Sequence, residues 1–264
     1  MDKSQEIKML IIDPVPRDVP ADYYQWKMNE MNKVARPGTI LEYTCIRKGL
    51  YNNPTTPYER MVNGEGIVEQ AYIAERKSYD AVIVGGVCDF RNEVRSMVDI
   101  PVHFPSESAF LMAMMLGNKF SVIVDSPHWL YKFEDQFTRW GIKDRVASLR
   151  LPVNLKKMNT WDWVHEENQD EFTKIISEEM KKAVEEDQAE ALIMGFTVGS
   201  TVLSMKGVRE IEGAYVIDTM ISAMKMGEMM VDMQRYCGFK VCHHSIYERP
   251  YPGWDKVRPI IIPD

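Results

Sequence analysis

No apolar run in this 264-residue chain approaches the roughly 20 residues that a membrane-spanning helix needs. No leader is recognisable either: after Met1 comes a polar stretch and then the strand-like Met9-Leu10-Ile11-Ile12. The expected compartment is the cytoplasm, away from any membrane. Cysteine is scarce, and Cys45, Cys88, Cys237 and Cys242 show no CxxC spacing. Free thiols in a reducing environment follow, not a disulfide framework. Positive charge is in deficit: 32 Lys and Arg face 39 Asp and Glu, giving a formal charge of −7. With no basic cluster to track phosphates, nucleic acid is not an expected partner.

What is present is ordinary for a globular protein: 45% apolar and 27% charged residues. The length suffices for one large domain or two small ones. Short apolar runs suggest strands at Lys8–Ile12, Thr39–Cys45, Ala81–Val84, Val102–Phe104, Phe120–Val124, Ala191–Met194 and Ala214–Ile217. Between them, Gly66–Lys77, Glu107–Leu116, Leu130–Trp140, Glu171–Glu186 and Thr219–Tyr236 read as helices. Strand alternating with helix implies βαβ units and a mostly parallel sheet.

Tyr79-Asp80-Ala81-Val82-Ile83-Val84-Gly85-Gly86 is echoed 110 residues further on by Ala189-Glu190-Ala191-Leu192-Ile193-Met194-Gly195-Phe196. The echo is either the same unit in two related lobes or a chance likeness between two βα units. Trp161–Asp170 is the most polar connection and is expected on the surface. The 19 methionines, mostly at helical spacing, suit a soft core better than a metal site. Cys242, His243 and His244 look like a metal cluster, but adjacent histidines on a strand face opposite ways and no fourth ligand is suitably spaced. No metal and no cofactor are expected. Tyr247–Pro263 reads as a packing or subunit-contact arm.

In parallel α/β sheets, ligands bind beyond the carboxyl ends of the strands. Those ends carry Asp13, Gly85 and Gly86 with Cys88 close behind, Ser106 and Glu107, Asp125 with His128, and Phe196 through Thr197 to Ser200. Small residues and hydroxyls at helix starts suit an anionic group.

Read in order, several segments are similar to hydantoin racemases of the aspartate/glutamate/hydantoin racemase superfamily. These are Val98-Asp99-Ile100-Pro101-Val102, Pro105-Ser106-Glu107-Ser108-Ala109-Phe110, Leu116-Gly117-Asn118-Lys119-Phe120-Ser121-Val122-Ile123, Lys143-Asp144-Arg145-Val146-Ala147-Ser148 and Tyr215-Val216-Ile217-Asp218. The likeness covers about residues 1–235. It implies two pseudo-symmetric three-layer α/β/α lobes with mostly parallel sheets, at 1–104 plus 219–264 and at 105–218. A ligand cleft would lie between the lobes, with Gly85 and Phe196 on opposing walls. A homo-oligomer and a small, anionic substrate are expected.

The resemblance also implies cofactor-free chemistry, in which one thiolate removes an α-proton while a second thiol donates one. Counting back from Val98-Asp99-Ile100-Pro101 puts the first thiol at Gly85, and the Met194-Gly195 pair puts the second at Phe196. Neither is a cysteine. The two-thiol route therefore does not carry over, and no appreciable racemization of aspartate, glutamate or hydantoins is expected. Cys88, three residues past the first place, is the candidate displaced thiol, set against an inert one. Asp125 and His128 are a candidate acid/base pair, set against helix capping and a surface histidine. Asp13, Gly85, Gly86, Ser106, Glu107, Phe196, Thr197 and Ser200 are the candidate substrate contacts. Three readings stay open: an isomerase or lyase on a small carboxylate or cyclic amide, a hydrolase using Asp125 and His128, or a non-catalytic ligand-binding or regulatory homologue.

Overall fold

The computed structural model describes residues 6–16, 21–50, 56–86, 90–153, 155 and 160–263. The chain separates into two compact units: Met1–Val19, Val34–Phe104 and Ala223–Asp264 form the first, Pro20–Lys33 and Pro105–Ser222 the second. The second unit thus takes in a segment near the start of the chain and runs to Ser222, where the sequence suggested 105–218.

In the first unit, β1 (Ile7–Asp13), β2 (Thr39–Cys45), β3 (Ala81–Val84) and β4 (Val102–His103) pair in the order β2-β1-β3-β4, all parallel. Every β3 residue is buried, as an apolar run covered on both faces requires. The second unit begins with α1 (Ala21–Val34), a helix with no clear apolar period in the sequence. In the first unit, α2 (Pro57–Arg76) starts in a capping box: Thr56 accepts from the Glu59 amide at 3.3 Å, and Glu59 Oε2 accepts from the Thr56 amide at 3.0 Å. Its buried Ile67, Ala71 and Ala74 meet Leu10, Ile12, Val82, Val84 and Phe104 in one core. The short α3 (Arg91–Arg95) precedes β4.

The second unit continues with α4 (Pro105–Leu116), β5 (Phe120–Ile123), α5 (Pro127–Trp140), β6 (Val146–Arg150), α6 (Glu166–Asp187), β7 (Ala191–Met194), α7 (Thr197–Met205), β8 (Glu210–Ile211) and β9 (Ala214–Ile217). Its sheet runs β6-β5-β7-β9-β8, parallel except for the β8–β9 hairpin. That hairpin turns on Glu212 and Gly213, both at positive φ (50° and 85°), the backbone a tight two-residue turn demands. Helix α8 (Thr219–Cys237) and the tail with α9 (Trp254–Val257) follow. Among the described residues no helix is long and apolar enough to cross a membrane.

Two strands escaped the sequence reading. β6 is a half-buried edge strand of mixed polarity, and β8 is two residues long. Trp161–Asp170, expected on the surface, is corrected: Trp163 and Val164 are buried, and the Trp163 ring lies 5.0 Å from that of Phe172. Counting polar residues overlooked how much apolar area one indole buries.

The internal echo has a structural basis. The Asp80 amide donates to Lys8 O at 2.8 Å, and Asp80 Oδ2 accepts from the Lys8 amide at 2.8 Å. The Glu190 amide donates to Lys119 O at 2.9 Å, and Glu190 Oε2 accepts from the Lys119 amide at 3.2 Å. At the other strand end, Gly85 N donates to Ile12 O at 2.6 Å and Gly195 N to Ile123 O at 2.7 Å. The β1–β3 and β5–β7 pairs are therefore the same unit used twice, with an acidic residue closing one end and a glycine amide the other. Chance likeness would not reproduce three hydrogen bonds at matching positions.

Candidate functional site

At the carboxyl end of the first unit's sheet, Asp13 closes β1 and is only 4% exposed. The Tyr43 hydroxyl, on the neighbouring β2, donates to its Oδ2. Gly85 ends β3 beside them: a Cβ there would lie 3.3 Å from Asp13 Oδ2 and 3.2 Å from Ile12 O. Any side chain at Gly85 would press on that carboxyl group. Asn63, buried on α2, ties the two flanking loops together. Its Nδ2 donates to Pro14 O at 2.9 Å, and its Oδ1 accepts from the Leu50 amide at 3.0 Å. Gly86 is buried in the same turn. Cys88 lies outside the described residues.

In the second unit, α5, α7 and α8 begin just past the carboxyl ends of β5, β7 and β9, as the alternation of strand and helix dictates. Phe196 precedes α7, buried, with its ring 6.0 Å from that of Phe172. Thr197 accepts from the Tyr23 hydroxyl at 3.0 Å, and Ser200 Oγ accepts from the Thr219 amide at 3.1 Å. Lys27, 1% exposed, sits 4.6 Å over the Tyr23 ring. A buried ammonium over an aromatic face trades hydration for attraction to the ring quadrupole. Ser106 and Ser108 on α4, Ser126 before α5 and Thr219 on α8 hold buried hydroxyls that make no hydrogen bond among the described residues. Glu107 is half-buried between the two serines.

Asp125 is buried at the end of β5, whereas His128 is exposed on the first turn of α5. Ser126 holds the N-cap position of α5 but makes no side-chain capping bond. Asp218 caps α8, its Oδ1 accepting from the Ile221 amide at 2.8 Å while Ser204 donates to Oδ2. Burial pushes the Asp218 carboxyl up, against the pull of those donors and of Arg209.

Among the described residues no three His, Cys, Asp or Glu side chains are grouped to hold a metal. His243 is engaged elsewhere: its Nε2 lies 2.7 Å from Asp99 Oδ1 and its Nδ1 2.9 Å from Tyr247 O.

The structure thus gathers Asp13 with Gly85 in one unit, and Phe196, Thr197 and Ser200 in the other. Reading the sequence missed Tyr43, Asn63, Tyr23 and Lys27. Tyr43 had a usable signal, since it stands two residues before the end of a recognised strand. Asn63 is a polar residue on the buried face of a helix, and Tyr23 and Lys27 lie on a helix that was not recognised. The repeat also refines one correspondence. With Gly85 matching Gly195 by its hydrogen bond, the partner of Phe196 in the first unit is Gly86, next to the residue reached by counting. No cysteine stands at Gly85, Gly86 or Phe196.

Comparison with known proteins adds to this geometry. The family described as Asp/Glu/Hydantoin racemase matches residues 29–227. A hydantoin racemase of Pseudomonas sp. (strain NS671) is 28% identical over 194 residues, 73% of this chain and 73% of the relative. The crystal structure of an allantoin racemase from Pseudomonas fluorescens superposes with a TM-score of 0.79 at 23% identity, covering 93% of this chain and 98% of that one. An allantoin racemase from Klebsiella pneumoniae gives 0.77 at 20% identity, over 93% and 94%.

Proposed function

Because the chain belongs to the Asp/Glu/hydantoin racemase family, we propose that it is an isomerase or lyase acting on a small carboxylate or cyclic amide without a pair of thiols. One observation carries this reading: the family match, residues 29–227, takes in strands of both sheets, yet glycine and phenylalanine occupy the strand ends where the resemblance puts the thiols. Neither can exchange a proton. The polar groups at other strand ends and helix starts are nonetheless those a carbon acid needs. Helix N-termini with buried hydroxyls at Ser106, Thr197, Ser200 and Thr219 suit a carboxylate or the oxygen of an enolate. Glu107, Gly85 and Gly86 complete the proposed substrate contacts. Cys88 is the proposed single thiol. The Asp125/His128 hydrolase reading gains no support from a histidine that is exposed while the aspartate is buried.

The test is a melting screen against small acids, hydantoins and lactams, followed by chiral analysis of every stabilising compound. A ligand that binds only the folded state raises the melting temperature by mass action. Turnover of a small acid or cyclic amide is expected, without racemization of aspartate, glutamate or hydantoins. Alkylating Cys88 with and without such a ligand examines the thiol: protection and loss of turnover support its role. A chain that binds none of these compounds is not the enzyme proposed.

A further inference from the structure

The Asp13–Tyr43 pair stands where a proton-transfer group is wanted, and we propose that Asp13 is the base of a one-sided exchange, positioned by Tyr43. The inference rests on the carbon-acid reading above and deepens it. Four observations converge on the pair. Asp13 is the last residue of β1, at the strand end where α/β sheets bind ligands. Its carboxyl group is almost wholly buried, so few solvent contacts compete with a bound substrate. Tyr43 comes from a different strand and donates to Oδ2, which fixes the orientation of the carboxyl group. Finally, Gly85 has no side chain, and a Cβ there would stand 3.3 Å from that same Oδ2. Any side chain at Gly85 would crowd the carboxyl group, so the glycine leaves Asp13 room at this strand end.

The chemistry balances with no further reactant. The Asp13 carboxylate takes the proton from a carbon beside a carbonyl, and the C–H electron pair moves onto the carbonyl oxygen as an enolate. The protonated Asp13 then returns a proton to the same face. In D2O the Asp13 O–H exchanges with solvent while the enolate persists, releasing HOD, and the hydrogen then returned to carbon is a deuteron. A single base therefore gives exchange with retention of configuration, and exchange outruns racemization. The absence of two thiols leads to that signature and not to inertness. Tyr43 is a positioning residue, because it acts through the carboxyl group.

The experiment incubates the full-length protein in D2O with L-pyroglutamate, 5-methylhydantoin and 2-methylsuccinimide, and follows loss of the α-proton signal by NMR and configuration by chiral chromatography. Exchange with retention is expected for at least one compound. Asp13→Asn should lower it about 100-fold or more, the range for a general base. Asp13→Glu, which keeps the carboxylate, should recover part of the rate. Tyr43→Phe should slow exchange about tenfold at saturating compound while leaving KM within about twofold, since it misplaces the base without touching the binding groups. Folding of each variant is checked by its melting temperature. If wild type exchanges a compound and Asp13→Asn, folded, still does so at the same rate, the role of Asp13 is overturned while the carbon-acid reading stands. A Tyr43→Phe variant altered only in KM overturns the positioning role. If the wild type exchanges none of the three, the carbon-acid reading falls and this inference falls with it.

Discussion

Gly199 shows how tightly the surroundings of Phe196 are set. A Cβ at this position would approach Phe196 Cζ to 2.7 Å and Phe172 Cζ to 2.8 Å, and both rings are buried. The glycine is there for close packing and not for an unusual backbone, since it lies inside α7. Gly199→Ala should therefore cost about 1–3 kcal/mol, the usual penalty of overpacking, although alanine is the better helix former. Urea unfolding checks this, and a variant as stable as wild type would show that the rings yield without strain. On the other side of the same helix turn, Tyr23→Phe removes the donor to Thr197 and should cost about 1 kcal/mol.

Between elements, two arginines do work that their sequence context did not announce. Arg145 stands in the segment that resembles hydantoin racemases. Its Nε donates to Asn118 O at 2.5 Å, and its Nη2 to Gly117 O at 2.9 Å and Met114 O at 3.2 Å. It thereby satisfies carbonyls left open where α4 ends. Arg145→Lys should destabilise by about 1–2 kcal/mol, because a single ammonium cannot span a fork of three carbonyls. Chemical denaturation reads the difference. Arg150, on the edge strand β6, holds Asp187 at 2.5 Å, Glu186 at 2.6 Å and Glu179 at 2.9 Å on α6. Its hydrogen bond keeps the Asp187 carboxyl below the usual range, against the opposing effect of burial. A depressed carboxylate contributes stability above its unfolded pKa, about 3.9, and loses it as pH falls through the folded value. Melting temperature should thus fall on acidification below about pH 4, and less steeply in Arg150→Met. Parallel slopes in the two proteins would disprove the coupling.

For the molecule as a whole, the C-terminal tail is a brace of the first unit. Asp99 Oδ1 accepts from His243 Nε2 at 2.7 Å and from Arg249 Nη2 at 2.6 Å, and Arg249 also donates to Met97 O. Trp254 packs edge-on against Tyr72 with ring centroids 5.5 Å apart, and Ile260 lies against the same core. Although burial pushes Asp99 up, the donors from His243 and Arg249 hold its carboxyl below the usual range. Ending the chain at Gly238 should lower the melting temperature by roughly 4–8 °C, as expected for a loss of about 2 kcal/mol in a chain of this size. Calorimetry of the truncated chain decides it, and an unchanged transition would make the tail dispensable for stability.

Most of the parallel strands were legible because each is a short apolar run that must be covered on both faces, and burial imposes that pattern wherever the strand sits. The repeat was legible for a related reason. Asp80 and Glu190 are polar residues at fixed places before apolar runs, and each closes the start of a neighbouring strand. The lack of cysteine at Gly85, Gly86 and Phe196 is read from the sequence alone. Only the tertiary structure brought Tyr43 onto Asp13, Tyr23 onto Thr197 and Lys27 over an aromatic face. Those contacts span 30, 174 and 4 residues. The first two depend on which strands pair and on α1 joining the second unit, and the third on a helix with too little apolar period to be seen. Exposure was likewise a tertiary matter: Asp125 and His128 are three residues apart, yet one ends a buried strand and the other begins a helix that turns it to solvent. Local pattern sets which residues can be buried, but partners distant in sequence decide which of them meet.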